Sequence, residues 1–174
     1  MSKLTEPIMQ NIIRILSAST PAVLQKIDAE YQSIDTTNPP ATSSVRVPLP
    51  PFKAFYFGQR LTAPQFPCVI VDFAPVNIDP ERFHFQWADY DHTIMVAILV
   101  QGDNEDVIAR QLLRYARCVW EVMFGNQVDL VGNQVAAISL RPVRGGPSPI
   151  VPKDNQLSRA YAWAFEVHRY DDLT

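Results

Sequence analysis

Phe83-His-Phe-Gln-Trp87-Ala-Asp-Tyr-Asp91 leads into His92-Thr-Ile-Met-Val-Ala-Ile-Leu-Val-Gln101, then Gly102-Asp-Asn-Glu-Asp106 and a helical pattern to Phe124. In an extended chain Ile94, Val96, Ile98 and Val100 point one way and Met95, Ala97 and Leu99 the other. A strand apolar on both faces is covered on both sides, which places 92–101 at the centre of a sheet. Phe83, Phe85 and Trp87 alternate with Arg82, His84 and Gln86, so 82–87 reads as a strand with an aromatic core face. Ala88-Asp-Tyr-Asp91 reads as the turn that joins the two into an antiparallel hairpin. Gly102 stops the central strand, and a helix starts near Asp103 or Asn104, with Glu105 and Asp106 favourably placed in its first turn. Ile108, Leu112, Tyr115, Val119 and Val122 form its stripe, with Leu113, Ala116, Trp120 and Met123 beside it, until Gly125 ends it. An arc that wide predicts cover by more than the sheet alone.

Outward from this unit, Pro67–Ala74 reads as a strand ended by Pro75, and Phe52–Phe57 as an edge strand. Val135–Arg141 and Arg159–Tyr170 read as the strands of a last hairpin, with 144–158 as its long loop. On the last strand Tyr161, Trp163, Phe165 and Val167 share one face. Ala160, Ala162 and Ala164 share the other, with room there for a helix or a neighbouring subunit. At the N-terminus Thr5-Glu-Pro7 opens a helix, and Ser19-Thr-Pro21 repeats that start signal for a second helix to about Tyr31. The stripes are Ile8, Ile12, Ile15 and Leu16, then Val23, Leu24, Ile27 and Tyr31. Residues 33–66 read as a proline-rich arm or loop, with Val47-Pro-Leu-Pro-Pro51 extended, lying either on its own domain or on a neighbour.

The expected fold is therefore α+β: a mostly antiparallel sheet of about four to six strands, with one long helix and N-terminal helices packed on it. A chain of 174 residues suits a single domain: a helical unit at 1–32, the arm at 33–66 and a core at 67–174. Charged residues are 19% against an ordinary ~25%, and there are 15 prolines. Few charges and many prolines point to long ordered loops and surface that meets other protein. A net charge of −3 argues against nucleic-acid binding. Cys68 and Cys118 read as small buried hydrophobes in a reducing cytoplasm. The N-terminal residues lack the apolar run of a signal peptide, and no stretch reaches the ~20 apolar residues of a membrane span.

Chemistry has little support. Asp89, Asp91 and His92 cluster in the expected turn and are the best candidates for a metal or acid–base site, but turns are ordinarily polar and no second cluster completes a shell. His84 and His168 read as surface histidines. There is no Gly-x-Gly-x-x-Gly, phosphate loop or Gly-x-Ser-x-Gly, and Ser148 lies between two prolines in a loop. The reading is no catalytic residue, no cofactor and no metal. Candidate contact residues are Arg110, Arg114 and Arg117 with Glu121 on the long helix, and Arg144, Ile150, Val151 and Lys153 on the loop. The arginines also suit i,i+4 pairs with Asp106 and Glu121 on a solvated face.

The order of these features resembles the tail terminator (tail completion) proteins of long-tailed bacteriophages. An N-terminal helix precedes a strand ending in apolar-Asp72 and an aromatic hairpin. The strand His92–Gln101, Gly102-Asp-Asn-Glu-Asp106, a helix ending in Trp120-Glu-Val-Met123 and a closing hairpin with Glu166-Val-His-Arg-Tyr170 follow. The similarity covers about 67–170; residues 33–66 and 144–158 are longer than in compact members. It implies a non-enzymatic virion protein assembled in the host cytoplasm, a ring that is usually a hexamer, partnered by the tail tube protein and the head–neck connector. Alternatives are another neck, head-completion or baseplate component, or, from a different class, a small cytoplasmic enzyme or metal-binding domain using the Asp89/Asp91/His92 turn.

Overall fold

The computed structural model describes residues 5–37, 47–58, 65–73, 77–83, 87–125, 137–153 and 156–172, with side-chain surroundings for these except 5, 7, 77–92, 137–141, 153 and 167–172. The elements are α1 (Thr5–Thr37), β1 (Ala54–Phe57), β2 (Cys68–Phe73), β3 (Asn77–Phe83), β4 (Trp87–Gly102), α2 (Glu105–Gly125), β5 (Ala137–Pro147), β6 (Val151–Lys153) and β7 (Gln156–Asp172). They form one α+β sheet of seven strands, with a continuous path β1-β2-β4-β7-β5; β3 pairs with β4, and β6 with β7. All pairs are antiparallel except β1 with β2. β4 is central, as its two-faced apolar pattern requires, and pairs with β7 without interruption from Trp87↔Asp172 to Gly102↔Leu157. β1 is the expected edge strand, and Gly58 closes it at φ 71, a conformation that costs other residues a Cβ clash.

Helices cover one face of this sheet. Ile94, Val96, Ile98 and Val100 of β4 join Val69, Val71, Trp163 and Phe165 in a core with both helices. Each fully buried aliphatic side chain of this kind stabilises by roughly 1.5–3 kcal/mol. α2 lies over β4 and β7, and α1 lies beside α2 and over β1 and β2. Asn104 caps α2: its side-chain carbonyl accepts the Val107 N–H at 3.1 Å and its backbone carbonyl that of Ile108 at 3.0 Å.

Four sequence expectations are corrected. The N-terminal unit is one helix, not two, and runs through Pro21 to Thr37. Its buried positions Ile8, Ile12, Leu16, Thr20, Leu24, Ile27 and Asp35 fall on one continuous stripe, whereas Pro21 and Ser17 are exposed. The amide that Pro21 lacks would have bonded the Ser17 carbonyl on the water side, where solvent satisfies it. The turn expected at 88–91 is strand: pairing with β7 extends β4 back to Trp87, and Asn77↔Asp91 pairing moves the hairpin's first arm to 77–83. The loop expected at 144–158 is mostly strand too. β5 continues to Pro147, and β6 pairs Val151↔Ser158. Three residues between Pro147 and Val151 therefore face two between Ser158 and Tyr161, and the Ser148 hydroxyl accepts the Ala160 N–H at 3.0 Å across the irregularity. Finally, among the described elements nothing packs over the second face of β4.

Candidate interaction surface

The arginines of α2 do not form an outward stripe. Arg114 is 4% exposed and grips Asp35, itself 1% exposed, with both guanidinium arms; Nη1 lies 2.8 Å from Oδ2. Its guanidinium also stacks 4.5 Å from the Tyr31 ring centroid. Arg110 is paired with Asp106 at 3.1 Å and lies 3.9 Å from Asp35. Arg117 bridges Glu121 and Glu30 of α1, both at 2.7 Å. Arg114 is therefore excluded as a contact residue, and Arg110, Arg117 and Glu121 spend their charge joining α2 to α1. The sequence reading stopped α1 at Tyr31, which hid Asp35 from it. The Arg114 guanidinium holds the Asp35 carboxyl below the usual carboxylate range, against the opposing effect of burial and with help from the Val47 N–H.

The second half of the proline arm is part of the same joint. Val47 is buried and donates its N–H to Asp35 Oδ2 at 3.0 Å. Gln111 Nε2 donates to the Pro48 carbonyl at 2.6 Å, and the Tyr115 hydroxyl to that of Pro50 at 2.5 Å. Between the two readings of the arm, residues 47–51 lie on their own domain; 38–46 lie outside the described residues.

Two surfaces remain open. The first is the sheet face away from the helices. Ile70, Met95, Ala97, Leu99, Ala160 and Ala162 are half-buried on it, and the pairs Ile70↔Ala97, Ala97↔Ala162 and Leu99↔Ala160 make it a continuous apolar strip. The second is a groove along the flank of α2 opposite α1. Leu113 (58% exposed) and Trp120 (41%) form one wall, and Tyr161 and Trp163 of β7 the floor, around a volume of about 410 Å³. Trp120 packs on Phe124 with centroids 4.2 Å apart, and Tyr161 on Trp163 at 4.5 Å. A Cβ at Gly145 would sit 2.5 Å from Trp163 Cδ1, so the bare backbone of β5 is what lets the indole lie flat at the groove's far side. The sequence placed Leu113 and Trp120 beside the core stripe; a wide apolar arc was the only signal, and it does not say which flank stays uncovered.

Arg144 and Val151 are exposed, Ile150 is half-buried, and Lys153 lies in β6 with its side chain outside the described residues. Asp89, Asp91 and His92 lie within β4, opposite Tyr170, His168 and Val167, so they share a strand rather than a turn; their side chains lie outside the described residues. Among the described residues no group of three metal-type side chains occurs, and no helix is long and apolar enough to cross a membrane. Cys68 and Cys118 are free and buried, as expected; burial raises their thiols to about 11 and about 12, with Glu121 adding to the second.

No family model matches the sequence, and no curated protein matches it. Among solved structures the chain is similar to one in the structure titled "Virion of native gene transfer agent (GTA) particle", at 13% identity over 67% of this chain and 78% of that chain, with a TM-score of 0.42.

Proposed function

We propose that this chain is a structural subunit of a phage-type virion, of the tail terminator type: a non-catalytic protein that closes into a ring, caps the tail tube and meets the head–neck connector. The observation that carries this reading is the apolar strip on the second face of the sheet, over which nothing packs among the described elements. A half-exposed strip of Ile70, Met95, Ala97, Leu99 and Ala162 is costly in water and is relieved when another subunit covers it. The order of elements, from β2 through the β3–β4 hairpin, α2 and the closing β5–β7 hairpin, keeps the sequence order on which the resemblance rests. A cyclic assembly buries such a surface once per subunit and leaves two unlike ends for two partners.

The test is the mass of the purified protein across a concentration series, with particles imaged by negative stain. Closed rings of about six subunits are expected, and Ala162→Lys on the strip should dissociate them. A monomer at every concentration, alone and with tail tube protein added, would sink the reading. Binding to the tail tube rather than to the connector alone separates a terminator from another neck component.

A further inference from the structure

We infer that the strip on the second sheet face is self-complementary, and that two copies of the chain pack these faces together about a two-fold axis parallel to the strands. The inference rests on the reading above only in taking the strip's occupant to be another copy of this chain. Register carries it. Asp72 on β2 pairs with Met95 on β4, Met95 with Ala164 on β7, and Ala164 with Arg144 on β5, so the four side chains stand in one row on that face. The row has an acid at one end and a base at the other, separated by three strand spacings, about 14 Å. Asp72 Oδ1 accepts the Phe73 N–H at 2.9 Å, and neither Asp72 nor Arg144 makes an ion pair among the described residues.

Charge selects the geometry. A two-fold axis along the strands, between β4 and β7, lays β2 of one copy over β5 of the other. Asp72 of each copy then faces Arg144 of the other, giving two equivalent pairs. An axis along the row would instead set Asp72 on Asp72 and Arg144 on Arg144, which like-charge repulsion disfavours. Size agrees with charge. The larger side chains Ile70, Met95 and Leu99 stand on β2 and β4, and the strip residues of β7 and β5 level with them are small. The same axis places Ile70 over Gly146, Met95 over Ala164 and Leu99 over Ala160 of the second copy. The receiving side is hollow: Met95, Arg144, Gly146, Ala162 and Ala164 help to line a depression of about 240 Å³. Glu166, half-buried in the next row, falls over Thr93, so no like-charge pair arises there. A strip engaged in this way is closed to any other subunit contact. The two-fold dimer is therefore the form the chain takes below the concentration at which rings close.

The experiment is sedimentation of the full chain below that concentration, with Asp72→Arg, Arg144→Asp and the double reversal beside wild type. Wild type and the double reversal should be dimers. Each single reversal should weaken dimerisation by roughly tenfold or more, because two attractive pairs become two repulsive ones. An equimolar mixture of the two single variants should recover a dimer with one of each, since both pairs are then Arg against Asp. The double reversal carries both substitutions, so its recovery separates a charge effect from a folding defect. The inference is overturned if wild type stays monomeric up to the point of ring closure, or if the single variants dimerise as wild type does. Failure of both the mixture and the double reversal to recover a dimer also overturns it. Rings above with only monomers below would leave the ring reading standing without the dimer. Dimers that never close into rings, even with tail tube protein added, would leave the dimer standing without the ring.

Discussion

Asp35 holds three parts of the chain together: it is buried at the end of α1, paired with Arg114 of α2, and accepts the Val47 N–H of the arm. A carboxylate in the last turn of a helix opposes the helix dipole, and α1 has no basic residue there to offset it. Arg114 supplies the compensation from the neighbouring helix. Removing one partner leaves a buried charge unpaired, so Arg114→Met should lower stability by about 3–5 kcal/mol in urea unfolding. The double variant Asp35→Leu, Arg114→Met should cost less than either single change, because no orphaned charge remains. The pair also sets an acid limit. The Asp35 carboxyl titrates lower in the folded chain than unfolded, so its stabilisation is complete above the unfolded value near ~4. It is lost as pH falls from there through the depressed folded value, which an acid unfolding series of wild type against Asp35→Asn would read. The two thiols give a second check. With raised thiols and no exposure, neither Cys68 nor Cys118 should react with a thiol reagent at neutral pH in the folded protein, and both should react in denaturant.

α1 crosses a proline without ending because Pro21 faces water and the stripe on the other side is unbroken. Proline in a helix interior costs up to ~3 kcal/mol relative to alanine. Pro21→Ala should therefore stabilise the protein by about 1 kcal/mol or more, read as a higher urea midpoint. A lower midpoint would mean that the proline's bend seats α1 on α2, and the solvent-side account would fail. The same element explains the fate of the arginine stripe. Once α1 reaches Thr37, its Glu30, Tyr31 and Asp35 face Arg117 and Arg114, and a pattern that fits a solvated helix face becomes a helix–helix joint. The β5–β7 ladder makes a parallel case. Pro147 reads locally as loop, but a proline at an edge strand loses only an outward N–H, and β5 is the end of the sheet path.

Among the described residues the helices form a layer on one side of the sheet only, and β5 with the far flank of α2 lies beyond it. That leaves the alanine strip and the aromatic groove as separate open surfaces. They should respond separately. Ala162→Lys should abolish self-association while shifting the unfolding midpoint of the isolated chain by little, since a half-exposed lysine can extend its charge to water. Sedimentation of the variant against wild type checks this, and unchanged association would place the subunit contact elsewhere.

Alternation in 92–101, the Asn104 cap and the spacing of Ile108, Leu112, Tyr115 and Val119 are local signals, and local chemistry was enough to fix a central strand followed by an amphipathic helix. The alanines of β7 likewise announced a face meant for close approach. Strand ends at Trp87 and Pro147, the continuity of α1, and the burial of Arg114 depend on partners far along the chain: Asp172, Tyr161 and Asp35. A residue's own propensity is worth a fraction of a kcal/mol, whereas a ladder pairing or a buried ion pair is worth more, so the folded neighbourhood overrode the local reading at those positions. Which apolar surface is core and which stays half-exposed among the described residues is decided the same way, by where the helical layer happens to stop.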